Sequence, residues 1–301
     1  MTDEKLILRR EGQRIVSPVF ELVLFSDAAL GDGAWLKRVY HLFVTTFGAS
    51  IRLYQFNDSA SMQAIAPPAL KTLGEQVERV LVGKPALFGI DLHSGAAPGD
   101  AVPPALEIFY DANAGQPYAY CRVVFPDDYL QAGTAAFFDY LRQVLTDFPL
   151  SSGWAGLGFF WRTLDPDCQE AATKFIVPKL KRHPGLAHGD YQELAEVALQ
   201  GVMGVNWLTL LGTSLSAALG GLPAIKQALE PRGIDCLELP QAIGLQAGER
   251  PETGDLNRQA ELPVYRAVGA FLSGVMAPMD EVWLEGFDPE DMEDWLLRFS
   301  L

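Results

Sequence analysis

Hydrophobic positions along the chain switch between a period of two and a period of three to four, and each switch marks an element. Val19 to Phe25 is a short β-branched and aromatic run that reads as a strand, and Gly31-Asp32-Gly33 interrupts the chain after it. From Ala34 to Phe47 the apolar residues Leu36, Val39, Tyr40, Phe43, Val44 and Phe47 recur at helical spacing, with Gly48 as the stop. Residues 51–56 form the next strand. Residues 68–82 form a second helix that buries Leu70, Leu73, Val77, Val80 and Leu81. A strand over 88–92 and a Gly/Pro-rich loop over 94–104 precede a hairpin of 106–110 with 118–125. Asp127 or Asp128 would cap the following helix, in which Phe137, Phe138, Leu141, Val144 and Leu145 face inward.

The second half alternates less cleanly. Residues 154–161 read as a buried, aromatic strand, 169–182 as a helix, 190–199 as a shorter helix and 205–211 as a strand. Residues 220–223 separate two short helices, and 234–239 is a further strand. Residues 246–261 are rich in Gly, Pro, Asp and Glu and read as a mobile surface loop, before closing helices over 262–276 and 289–299. The hairpin and the run of neighbouring strands predict an α+β fold with a mixed, mainly antiparallel sheet flanked by helices. The chain is read as a single α+β domain over 1–301, with a break into two lobes near residue 150 left open.

Composition narrows the function. The 301 residues carry 23 basic and 38 acidic side chains, a formal charge of −15, and are 49% hydrophobic. That acidity argues against binding nucleic acid or an anionic membrane, both of which recruit Lys and Arg. No uninterrupted apolar run approaches the length of a membrane span, and the polar start Met1 to Lys5 lacks the apolar core of a signal peptide. Three scattered cysteines, Cys121, Cys168 and Cys236, read as reduced thiols and place the protein in the cytoplasm.

Catalytic signatures are missing: the chain has no HExxH, Walker A loop, GxSxG elbow or EF-hand loop. His183, His188 and Asp190 fall close together but match no ligand pattern, and a turn between two helices is the better reading. No cofactor or metal is expected, and no enzyme activity. The salient chemistry is charge. Eight acidic residues and no basic one fall between Asp280 and Asp294: Asp280, Glu281, Glu285, Asp288, Glu290, Asp291, Glu293 and Asp294. Trp283, Phe287, Met292 and Trp295 are interleaved with them. Two readings stand: a solvated helix face with aromatics in the core, or a surface that steers and anchors a basic partner.

Asn206, Trp207, Leu208, Leu211 and Gly212, followed by Gly220 and Gly221, resemble the Asn-Trp-Leu-x-x-Leu-Gly element and the later Leu-Gly-Gly of the type VI secretion immunity family, the TsiV/TsiT-like proteins. The Val19 to Leu22 strand, the Gly156 to Phe160 segment and Tyr191 are similar as well. The resemblance implies a non-enzymatic antidote whose partner is a cognate secreted toxin, with nuclease effectors among the family's partners. An adaptor or chaperone for a secreted effector, and a hydrolase with an unrecognised site, are the competing readings. The motif residues themselves suit a structural role, and the acidic C-terminal stretch is the expected toxin-binding surface.

Overall fold

The computed structural model describes residues 4–31, 33–57, 59, 61–162, 166–278 and 286–300. Its organising element is β2 (Gln13–Ser26), a strand of 14 residues whose alternation supplies both layers of the core. Phe20, Leu22 and Leu24 point to one face, and Val23 and Phe25 to the other. β2 pairs with β7 (Tyr118–Val124) on one side and with β8 (Ser152–Trp161) on the other. Pro18, which has no N–H to give, lies between the stretch of β2 that pairs with β1 (Leu8–Arg10) and the stretch from Glu21 that pairs with β7.

From β7 the sheet continues through β6 (Ala105–Asp111), β5 (Leu87–His93), β3 (Leu53–Phe56) and β4 (Gln63–Ala64). From β8 it continues through β10 (Leu208–Gly212), β12 (Ala242–Gln246) and β11 (Asp235–Leu239). Among the described residues the sheet has twelve strands, all paired antiparallel except the short β9 (Leu186–Ala187), which runs parallel to β8. The α+β class and the mainly antiparallel sheet are as the sequence implied. Across position 150, β8 meets β2 over ten paired residues.

One face of the sheet is covered by α1 (Ala34–Phe47), α2 (Ala69–Val82), α3 (Ala135–Leu145), α6 (Thr213–Ala218), α7 (Gly221–Leu229) and α8 (Pro263–Leu272). The opposite face is covered by α4 (Pro166–Arg182), α5 (Tyr191–Val197) and α9 (Pro289–Leu296). These three lie over the half of the sheet built from β2, β8 and β9, while β5, β6 and β7 are left partly open on that side. This gap positions the site described below.

Three readings of the sequence need correction. α3 begins at Ala135 after Thr134, and neither Asp127 nor Asp128 caps it. Successive turns fill 126–133, and the Asp127 carboxylate accepts from Arg14 Nη1 at 3.1 Å instead. Phe138 is only half-buried, its ring 5.8 Å from that of Trp207. Residues 242–246 are strand β12, which the sequence reading left out. The excursion that follows is anchored: Gly185 N–H donates to Thr253 O at 2.9 Å, and Arg182 forks onto Asp255 at 2.9 and 2.6 Å.

Candidate functional site: an acidic groove on the open sheet face

The ladder register sets four polar side chains in one row across the open face. Gln55 of β3 is opposite Asp91 of β5, Asp91 is opposite Glu107 of β6, and Glu107 is opposite Arg122 of β7. Two carboxylates facing each other across neighbouring strands repel. Two guanidiniums offset that repulsion: Arg162, just past the end of β8, pairs with Asp91 and lies 3.8 Å from Glu107, and Arg122 lies 3.5 Å from Glu107. Arg122 turns its other side to Glu21 of β2, donating from Nε at 2.8 Å, while Tyr191 Oη donates to the second Glu21 oxygen at 2.7 Å. Stacking of the Arg122 guanidinium over the Tyr191 ring, 4.7 Å from its centroid, ties α5 to the network.

Among the described residues the ion-pair partners of Glu21, Asp91 and Glu107 are Arg122 and Arg162, three carboxyl groups to two guanidiniums. Asp91 departs from the ordinary carboxylate range. Burial pushes its carboxyl up to about 6, with Glu107 adding to the rise and Arg162 opposing it. Burial likewise raises Glu21, against the pull of Arg122 and Tyr191. Above this floor lies a groove of about 690 Å³ that reaches Trp161 and Asp190, and it adjoins a second hollow of about 380 Å³ over Gly89 and Phe109. Gly89 adds no side chain to the second hollow, and Phe109 and Tyr120 stack along it, 6.1 Å apart.

The expected C-terminal surface is placed only in part. Asp280, Glu281 and Glu285, with Trp283, lie outside the described residues. Asp288 caps α9, its carboxylate accepting from Asp291 N–H at 2.9 Å, and Asp291 pairs with Lys181, which holds its carboxyl below the usual range. Glu290, Glu293 and Asp294 are exposed on α9, while Phe287, Met292 and Trp295 are buried beneath it. The acidic helix and the acidic groove therefore belong to the same side of the sheet.

The Asn-Trp-Leu element sits in the interior. Trp207 is fully buried, its ring within 6 Å of those of Phe20, Phe137 and Phe138, and its indole N–H donates to Gly248 O at 2.8 Å. Asn206 accepts from Trp207 N–H at 2.8 Å and packs against Gly156, while Leu208 and Leu211 are buried in β10. Gly212 leads from β10 into α6 against Leu150 O, and Gly220 and Gly221 turn the chain into α7 with φ of +86° and +75°. His183 Nδ1 meets Gly254 O at 2.7 Å, Asp190 caps α5, and no metal-binding group occurs among the described residues.

Sequence reading overlooked Glu21, Asp91, Glu107, Arg122 and Arg162. A signal was present for two of them: Glu21 and Arg122 each interrupt an otherwise apolar strand, which a half-buried sheet tolerates only when the charge has a partner.

Fold and site together define an α+β protein with an acidic groove open on one face of its sheet. The family model described as "TsiV: Type VI immunity for VRR-NUC" matches residues 36–299, and the chain belongs to that family. A solved structure titled "Pseudomonas aeruginosa T6SS protein PA0821" shares the fold with a TM-score of 0.76 at 17% identity, over 98% of this chain and 86% of that one. No curated protein matches the sequence. Among the described residues no helix is long and apolar enough to cross a membrane.

Proposed function

We propose that this protein is a cytoplasmic immunity protein that binds a cognate VRR-NUC nuclease effector of type VI secretion and blocks it directly with an acidic surface. Membership of the family over residues 36–299 is the observation that carries the reading. It acts by binding, without catalysis of its own. A nuclease must attract phosphates and so presents basic groups, which a protein of charge −15 complements. Two surfaces on one side of the sheet supply the carboxylates. One is the exposed row Glu290, Glu293 and Asp294 on α9, continuous in sequence with Asp280, Glu281, Glu285, Asp288 and Asp291. The other is the groove over Asp91 and Glu107, where a basic side chain of the toxin would neutralise the surplus carboxylate.

The test is co-expression with the product of the adjacent gene, scoring survival, and pulldown at low and high salt. Rescue with a salt-sensitive complex is expected. Reversal of Glu290, Glu293 and Asp294 to Lys should weaken capture at least tenfold, and Asp91→Asn with Glu107→Gln should do the same independently. Capture without rescue would make the protein an adaptor. Unchanged affinity in both variant sets would remove the acidic surface from the mechanism.

A further inference from the structure

A small cavity lies where α9 and the β9–α5 segment close over β8. It measures about 40 Å³, room for a few waters or one small ion, and Trp154, His188, Asn206, Trp295 and Arg298 line it. Three polar atoms of these residues, Trp154 Nε1, His188 Nδ1 and Trp295 Nε1, are buried without a hydrogen-bond partner. They are half of the six such atoms found among the described residues, gathered around one hollow. Native interiors seldom leave such groups unmatched unless something else occupies the space.

The chemistry of the lining identifies the occupant. An indole N–H only donates. Arg298 already donates to three neighbouring carbonyls: Pro184 O from Nε at 2.7 Å, Trp295 O from Nη1 at 2.7 Å and Leu186 O from Nη2 at 3.4 Å. Asn206 has its carbonyl oxygen committed to Trp207 N–H. No carboxylate lines the cavity, and no carboxylate pairs with Arg298 among the described residues. Its guanidinium stacks 4.0 Å above the Trp295 ring and keeps two N–H groups beyond those three bonds. Burial of this cation without a counter-ion also lowers its pKa to about 9. Water could accept from the indoles but would leave Arg298 without a counter-charge, whereas an anion brings both the acceptor and the missing charge.

We propose that this cavity binds a small monovalent anion of about chloride size, held by the indole N–H groups of Trp154 and Trp295 beside the guanidinium of Arg298. The ion fastens the C-terminal helix to the sheet, since Trp295 belongs to α9, Trp154 to β8 and His188 follows β9. The inference rests on the cavity alone and is independent of the partner.

Two measurements on the full chain test it. Crystals grown in sodium bromide should show an anomalous peak inside the cavity. Thermal melting in sodium chloride should exceed that in sodium gluconate at equal ionic strength by about 2–4 °C, a shift of the size expected from one bound ligand. Trp154→Phe and Trp295→Phe, which keep a ring and remove the N–H, should each lose most of that increment. A cavity holding only water, or equal melting in the two salts, overturns the proposal. The bromide map of the unaltered protein decides the matter even if neither variant folds.

Discussion

Arg122 Nη2 lies 2.7 Å from Glu21 Oε2 in the middle of the sheet, with the two side chains 5% and 0% exposed. Both charges are almost wholly withdrawn from water, so each depends on the other. Arg122→Met is expected to strand Glu21 and lower stability by about 3–5 kcal/mol in urea unfolding. The double variant with Glu21→Gln should recover a large part of that loss. A single variant that unfolds within about 1 kcal/mol of the parent would show that the pair contributes little.

Asp91 gives stability a pH dependence whose sign is fixed by its folded pKa. That value is about 6, above the roughly 3.9 of an unfolded aspartate. The folded protein therefore keeps the proton longer, and stability falls as pH rises from about 4 through 6. Asp91→Asn cannot lose a proton, so its melting temperature relative to the parent should rise across that interval. A difference that stays flat between pH 4.5 and 7.5 would rule this out.

Gly156 is expected to reject even a methyl group. A Cβ there would collide with Asn206 Oδ1, which cannot retreat without releasing the Trp207 N–H. Gly156→Ala should cost about 1–3 kcal/mol by overpacking. Gly115→Ala, where nothing lies within 4 Å of the added atom, should stay within about 0.5 kcal/mol, the usual range for a surface change.

The excursion after β12 is held by Asp255, whose carboxyl the Arg182 fork keeps down at about 2. Asp255→Asn should free that segment while leaving global melting nearly unchanged. Limited trypsin digestion reads the result directly, with faster cutting after Arg258 expected. Equal cutting in both proteins would assign the anchoring to the Gly185–Thr253 bond instead.

How much of this was legible in the sequence depends on how local each determinant is. The helix over 34–47 could be read to its ends because Leu36, Val39, Tyr40 and Phe43 mark one face and Gly48 closes it. Asp128 misled because a carboxylate followed by an apolar stripe imitates a cap, whereas turns occupy residues 126–133 before α3. β12 escaped because Ala242 to Gln246 is a short, Gly-bearing run whose strand character comes from β10 and β11 on either side. The groove was invisible for the same reason at larger scale. Asp91, Glu107 and Arg122 become neighbours only when two ladders adopt their registers. The acidic stretch at 280–294 could be seen as charge but not as geometry, and its first residues lie outside what the structure describes.

The central strand also sets a schedule for synthesis. β2 is complete at Ser26, yet its partners β7 and β8 end at Val124 and Trp161. At about 5–20 residues per second, the ribosome needs roughly 7–27 s to supply the remaining 135 residues. For roughly the first 5–20 s, until Val124 is made, a run of Val, Phe and Leu waits without either flank, a condition in which an unpaired strand edge is open to a wrong neighbour.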